Sequence, residues 1–444
     1  MGTLLLLNAK IVNEDNIFES DIYIRSGHIE KIGKDLSAMK VQQVLDVKGK
    51  YVLPGMIDAD VHFQEPRLAE NVCSRNESQA AVAGGITTYF DLPDSLPHVF
   101  DSQILENKMD VASVQSLANY SFYFGAPRHN SEEIKGIDPQ SCCGLNIFMG
   151  GVRDTLLVDE PQLLDAIFKH SPVIISAHCE DVPTIFENEE SYRQIYGDDI
   201  PFEFHPKVRS EEACITSTKL AIELANSHHT DLHVLHVSSA NEAELFTGIP
   251  LSEKLITAEV CCQYLALTDD DYEQKGALIK CDPAIKSEVD RAGLFQGLMD
   301  NRLDTIATAH LPRSIEDKKG NYFEALSGLP LVEYSLPTLL EHYQNGIFTL
   351  EFLAKKTSHA VAERFKIKER GFIREGYWAD LVVIDTELGT TANNKDVVSR
   401  AGWTPFEGYE FRSSVHATIV NGDIVYINKK LRMGTKGRRV EFNR

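Results

Sequence analysis

Histidines and carboxylates recur at the ends of strand-like runs in this chain. GMIDADVHF carries Asp58, Asp60 and His62, VIISAHCE carries His178 and Glu180, DLHVLHVSS carries His233 and His236, and DTIATAHLPRS carries His310. Neutral imidazoles and carboxylates are the usual ligands of zinc and similar ions, so their convergence on one face would make a metal-assisted site. A lone strand-end histidine is more often a hydrogen-bonded core residue, and only the repeated pattern carries the signal. His233 and His236 are three apart on a strand-like run and so fall on opposite faces of it; at most one of them is expected to point inward. In the last run Ala309 precedes His310, at a place where strand ends often carry a catalytic acid.

Such residues need a scaffold that brings many strand ends together. The middle of the chain alternates strand-like runs (GMIDADVHF, ITTYFDLP, ANYSFYFG, LNIFMG, VIISAHCE, DLHVLHVSS, LITAEVC, DTIATAH) with helical stretches such as EPQLLDAIFKHS and RSEEACITSTKLAIELANS. Eight such units predict a parallel α/β barrel, with the site at the C-terminal strand ends. The first fifty residues alternate like strands, and HATIVNGDIVYIN reads as a hairpin around Asn421-Gly422. Two β-rich ends around a different middle predict one small β domain built from both termini.

Composition bounds the function. The chain has 444 residues, 43% of them apolar and 25% charged, enough for a sizeable core in a globular protein. The net charge of −22 argues against nucleic acid and anionic membrane as partners. The N-terminal MGTLLLLNAKIVNED lacks the basic region of a secretion signal, and no run reaches the ~20 apolar residues of a membrane span. The eight cysteines form no CxxC, so reduced, buried thiols and a cytoplasmic location are expected. Cys179, beside His178, is the one placed to approach a soft metal.

The runs LPGMIDADVHFQEP, SQAAVAGGITTYFDLP, NIFMG, SAHCED, HPKVRSEEAC, LHVLHVSS, ITAEVC, DPAIKSEVDR and ADLVVID follow one another from end to end. In that order the chain resembles a dihydroorotase of the amidohydrolase superfamily, in the cyclic amidase group with hydantoinases and allantoinases. The resemblance implies an α/β fold: a (β/α)8 TIM-like barrel, the metallo-dependent hydrolase fold, over residues 53–367. A composite β-sandwich would come from residues 1–52 and 368–444. It also implies a binuclear zinc hydrolysis of a cyclic amide, in which two cations activate a bridging water and a carboxylate relays its proton.

Carried onto this sequence, the pattern is broken. The first metal histidine falls at Asp60 and the second is kept as His62; the two single histidines are kept as His178 and His236. The bridging carboxylated lysine falls at Asn146, and the catalytic aspartate at Ala309. Asparagine forms no carbamate, and a methyl group neither binds metal nor carries a proton. The substrate-binding arginine falls at Gln64, the turn asparagine at Asp94 and the last histidine of the acid loop at Arg313. Glutamine there loses the charge and the fork of a bidentate carboxylate contact. Arg67 and Gln263-Tyr264 depart from the pattern as well, whereas Gly84, Gly85, Pro206, Arg209, Glu211, Glu212, Pro283, Lys286, Asp290 and Arg291 keep it.

Two readings follow from the resemblance. In the first, a dihydroorotase-like protein of pyrimidine biosynthesis has lost catalysis, a pseudoenzyme acting as scaffold or regulatory partner of aspartate transcarbamoylase or of a second copy of itself. In the second, an active cyclic amidohydrolase works with an altered, mononuclear site built on Asp60, His62, His178 and His236, with Asp58, Glu180 or Asp304 taking over the proton relay. Both imply zinc at zero or one ion rather than two.

Overall fold

The computed structural model describes residues 2–63, 73–126, 131–151 and 155–444. Its barrel strands run Met56–Val61, Ile86–Asp91, Asn119–Phe122 continued by Phe124–Gly125, Leu145–Phe148, Ile175–His178, Leu232–Val234, Ile256–Cys261 and Thr305–Ala307. Each pairs in parallel with the next. The ring closes where Val61 bridges His310 and Asp58 accepts hydrogen bonds from the Thr308 amide (3.1 Å) and hydroxyl (2.6 Å). The first, second and fifth strands are buried along their whole length, as strands covered on both faces must be. The expected (β/α)8 barrel is therefore present.

Helix starts behind the strands are fixed locally. Asp181 and Ser210 cap the helices Val182–Tyr196 and Glu211–His228 by accepting the amides of Thr184 and Ala213. Glu211 and Glu212 occupy the first turn of the latter, where carboxylates complement the helix dipole. These two caps directly follow Glu180 and Arg209, and so set the direction in which both side chains leave the backbone.

The two ends of the chain meet in one continuous nine-stranded sheet. Tyr51–Pro54 lies between Thr3–Asn13, with which it runs parallel, and Leu381–Asp385, with which it runs antiparallel. The hairpin turn at Asn421-Gly422 is as expected: both residues have positive φ (50° and 80°) between Ser414–Val420 and Asp423–Ile427. One face of this sheet, from Leu4 to Ile424, forms a single apolar cluster. The other face packs on the barrel, where Thr418 Oγ1 donates to the Val82 carbonyl (2.7 Å) and Asn421 Nδ2 to Asn119 Oδ1 (2.8 Å). The last residues run beneath the barrel. Val440 and Phe442 join Phe90, Tyr123 and Phe365 in a second core, and the Arg444 guanidinium donates to the carbonyls of Cys142, Cys143 and Phe365.

Among the described residues, no helix is long and apolar enough to cross a membrane, and seven cysteines are free and buried.

Candidate active site

A cavity of about 560 Å³ opens at the C-terminal ends of the barrel strands, with His62, Asp94, His178, His236, Ala309 and Arg313 in its wall. The sequence-derived positions Gln64 and Arg67 lie outside the described residues.

His62 Nδ1 sits 2.7 Å from Asp94 Oδ2. Burial alone would push the His62 pKa down, but Asp94 more than offsets it and holds the imidazole above its ordinary value. Burial pushes the Asp94 carboxyl up, but the charge and hydrogen bond of His62, with the charges of Lys108 and Arg313, together hold it below its usual range. Across the cavity His178 and His236 stand edge to face with ring centroids 4.5 Å apart. Burial and the neighbouring His178 push the His236 pKa well down, so this imidazole is neutral, and its Nδ1 is buried without a hydrogen-bond partner.

His178 Nε2 lies 2.8 Å from Glu180 Oε2, which also accepts from Arg209 Nη1 at 2.5 Å. Arg209 Nε reaches Asp282 Oδ1 at 2.7 Å. His205 completes the chain, 3.4 Å from Asp282 and 2.8 Å from the Tyr322 hydroxyl. Above it, Lys280 Nζ donates to the carbonyls of Tyr322 (2.5 Å) and Ala325 (2.8 Å). Lys318 donates to three more, those of Lys280, Leu326 and Gly328. Burial lowers the Lys318 pKa to about 7. These two lysines hold the 322–328 segment over the cavity.

Ala309 borders the cavity in a left-handed backbone conformation, φ 48°, which non-glycine residues rarely adopt. The conformation is held from both sides: the His62 amide donates to the His310 carbonyl (2.8 Å) and the Leu311 amide to that of Leu329 (2.9 Å). Asn146 does not line the cavity. It is buried in the fourth strand, with Nδ2 donating to the Ser176 carbonyl (3.1 Å) and Oδ1 unpartnered.

Several candidate residues are placed elsewhere. His310 points away from the cavity: Nε2 meets Glu77 (2.9 Å) and Nδ1 accepts the Leu331 amide (2.9 Å). Replacing His310 with alanine would strand that amide and the buried Glu77 carboxylate, and is expected to cost on the order of 2–4 kcal/mol in denaturant unfolding. His233 lies in the barrel interior between Thr257 (2.9 Å) and Glu259 (3.2 Å), and burial lowers its pKa to about 3. Cys179 is buried, 3.8 Å from the Ala177 carbonyl, and burial raises its thiol pKa.

The three substitute relays are engaged too. Asp58 ties the first strand to the eighth, with burial raising its pKa to about 7. Glu180 is held by Arg209, and Asp304 pairs with Lys254 (2.7 Å) at the opposite, N-terminal end of its strand. Sequence reasoning passed over His205, Lys280, Asp282 and Tyr322. The first and third sat in plain view in HPKVR and DPAIK, beside the prolines counted there as scaffold.

The fold and this cavity belong with known proteins. The chain matches the amidohydrolase family over residues 51–425 and belongs to that family. It is 27% identical to a dihydroorotase of Methanosarcina mazei, covering 97% of this chain and 96% of that one. It is equally 27% identical to an allantoinase of Desulfitobacterium hafniense, covering 96% of each. Among solved structures it superposes on the L-hydantoinase (dihydropyrimidinase) of Arthrobacter aurescens with a TM-score of 0.92 and 25% identity, covering 99% of this chain and 100% of that one.

Members of this family generally bind metal ions, typically zinc. Asn146 and Ala309 stand where the family resemblance expects a bridging lysine and an aspartate. Neither Asn146 nor Ala309 supplies a ligand. Among the described residues, the one group of His, Cys, Asp and Glu donors lying within 4.8 Å of one another is Asp60, Glu259 and Cys261, not the histidine set.

Proposed function

We propose that this chain is a dihydroorotase-like member of the cyclic amidase group that no longer opens rings and serves as a non-catalytic scaffold or regulatory partner. The observation that carries this is Ala309. Ala309 sits on a strained turn at the cavity edge, and a methyl group stands where the family resemblance expects an acid. Asn146, at the other decisive position, is hydrogen-bonded into the barrel wall. Neither residue takes or gives a proton, and the acids nearest the cavity are committed to ion pairs. Aspartate transcarbamoylase, or a second copy of this chain, is the partner this reading proposes.

A second reading, a working hydrolase with one metal, draws on one feature. A carboxylate on the far nitrogen of an imidazole, as Asp94 on His62, is how metal-ligating histidines are commonly oriented.

The experiment is ring-opening of dihydroorotate, allantoin and hydantoin by the purified protein with added zinc. No rate above the uncatalysed one is expected, and zinc-dependent turnover of any of the three would replace the first reading with the second. Ala309→Asp alone is expected to restore nothing measurable, because groups that act as a unit are not additive and the bridging lysine is still missing.

A further inference from the structure

The barrel interior just below the cavity holds a group of donors of which the hydrolytic pattern uses only Asp60. Asp60 projects from the first strand, and Glu259 and Cys261 from the seventh, two residues apart and therefore on one face. All three are fully buried, and one donor atom from each lies within 4.8 Å of the other two. Asp60 Oδ1 and Glu259 Oε1 are buried without a hydrogen-bond partner. The two carboxyls meet each other in a side-chain hydrogen bond, and the Cys261 thiol lies 4.0 Å from Asp60 Oδ2, so these two remaining oxygens are left for a ligand to complete. His233 Nε2, 3.2 Å from Glu259 Oε2, braces that carboxylate from behind.

We propose that Asp60, Glu259 and Cys261 bind one divalent transition-metal ion of the zinc and cobalt class inside the barrel, beneath the cavity floor. Two carboxylates and a thiolate select such an ion over magnesium or calcium, which take oxygen donors alone. Donor atoms around a tetrahedral zinc stand roughly 3.5 Å apart, given bonds of about 2.0–2.3 Å. The Cys261 thiol stands 4.0 Å from Asp60 Oδ2 and all three donors lie within 4.8 Å of one another, so binding draws the three side chains together. The ion would enter through the cavity, since His62 and Gln263 in its lining follow Asp60 and Cys261 by two residues. On binding, the carboxyl and thiol protons are released, the two carboxylates and the sulfur bond the metal, and water fills the fourth position. The site shares only Asp60 with the ligand pattern implied by the family resemblance, and it stands whether or not the chain hydrolyses a ring.

The test uses the full chain, stripped with a chelator and titrated with cobalt(II). Expected are one equivalent bound per chain and a thiolate-to-cobalt charge-transfer absorption. Cys261→Ser should abolish that absorption and weaken binding about tenfold or more, and a His178→Ala/His236→Ala double variant should leave both intact. X-ray absorption of the zinc-loaded unmodified protein, expected to show one sulfur ligand, decides the matter should the serine variant fail to fold. Absence of stoichiometric metal, absence of sulfur around zinc, or binding that survives Cys261→Ser and is lost in the histidine variant would each overturn the proposal.

Discussion

Replacing Arg209 with alanine is expected to destabilise the fold by about 3–5 kcal/mol at neutral pH, the usual consequence of leaving buried charges without their partner. Arg209 joins Glu180 (2.5 Å) to Asp282 (2.7 Å) in the cavity wall. Burial pushes both acids up, but Arg209, together with His178 at Glu180 and with His205 and Lys280 at Asp282, more than offsets this and both end below the ordinary carboxylate range. Folded pKa values below the unfolded ones contribute stability that is present above about pH 4 and lost only as pH falls through the folded values. In the variant the Arg209 part of that offset, the largest, is gone. Burial then favours the protonated acids, and stability falls as pH rises above about 4. The gap between the two proteins should therefore be widest near pH 7 and narrow toward pH 4. Urea unfolding at several pH values measures it, and a gap independent of pH would show that Arg209 acts through packing alone.

Phe365→Ala should cost a similar amount, about 3–5 kcal/mol, for a different reason. The side chain is wholly buried at the N-terminal end of the barrel. Its ring stands edge-on to those of Phe90 (5.2 Å) and His233 (5.5 Å), and its carbonyl accepts from Arg444 at 3.0 Å. The residue before it, Arg364, ties the sixth strand to the start of the seventh through the carbonyls of Leu232 (2.9 Å) and Leu255 (3.0 Å). The plug therefore has little freedom to collapse into the space a truncation would leave. Because this loss is in packing and not in charge, the destabilisation should be the same from pH 5 to 8, in contrast to the Arg209 variant. Thermal or urea unfolding at those two pH values separates the cases.

Most of the scaffold could be read directly from the chain. The eight strand-like runs became the barrel strands, because short apolar runs alternating with helical periods leave few other solutions. Asn421-Gly422 formed its turn because both residues tolerate positive φ. His62, His178, His236 and Ala309 were legible as strand-end residues, and all four line the cavity. What the chain hid were contacts between distant segments. Glu77 claims His310 across 233 positions, Lys254 claims Asp304 across 50, and Lys280 and Lys318 spend their charges on loop carbonyls. No local pattern records such pairings, because each partner looks ordinary in its own stretch. Glu259 and Cys261 were likewise unremarkable until the seventh strand faced Asp60 on the first.

The insertion of Tyr51–Pro54 between the first strand and Leu381–Asp385 has a consequence for the order of events during synthesis. Tyr51 leaves the ribosome more than three hundred residues ahead of the strand that covers its free edge. Throughout that interval the nascent chain carries an apolar strand edge with unpaired amides and carbonyls, the kind of template that recruits other chains. Interruption anywhere between the barrel and Leu381 should thus yield aggregates rather than a smaller soluble protein.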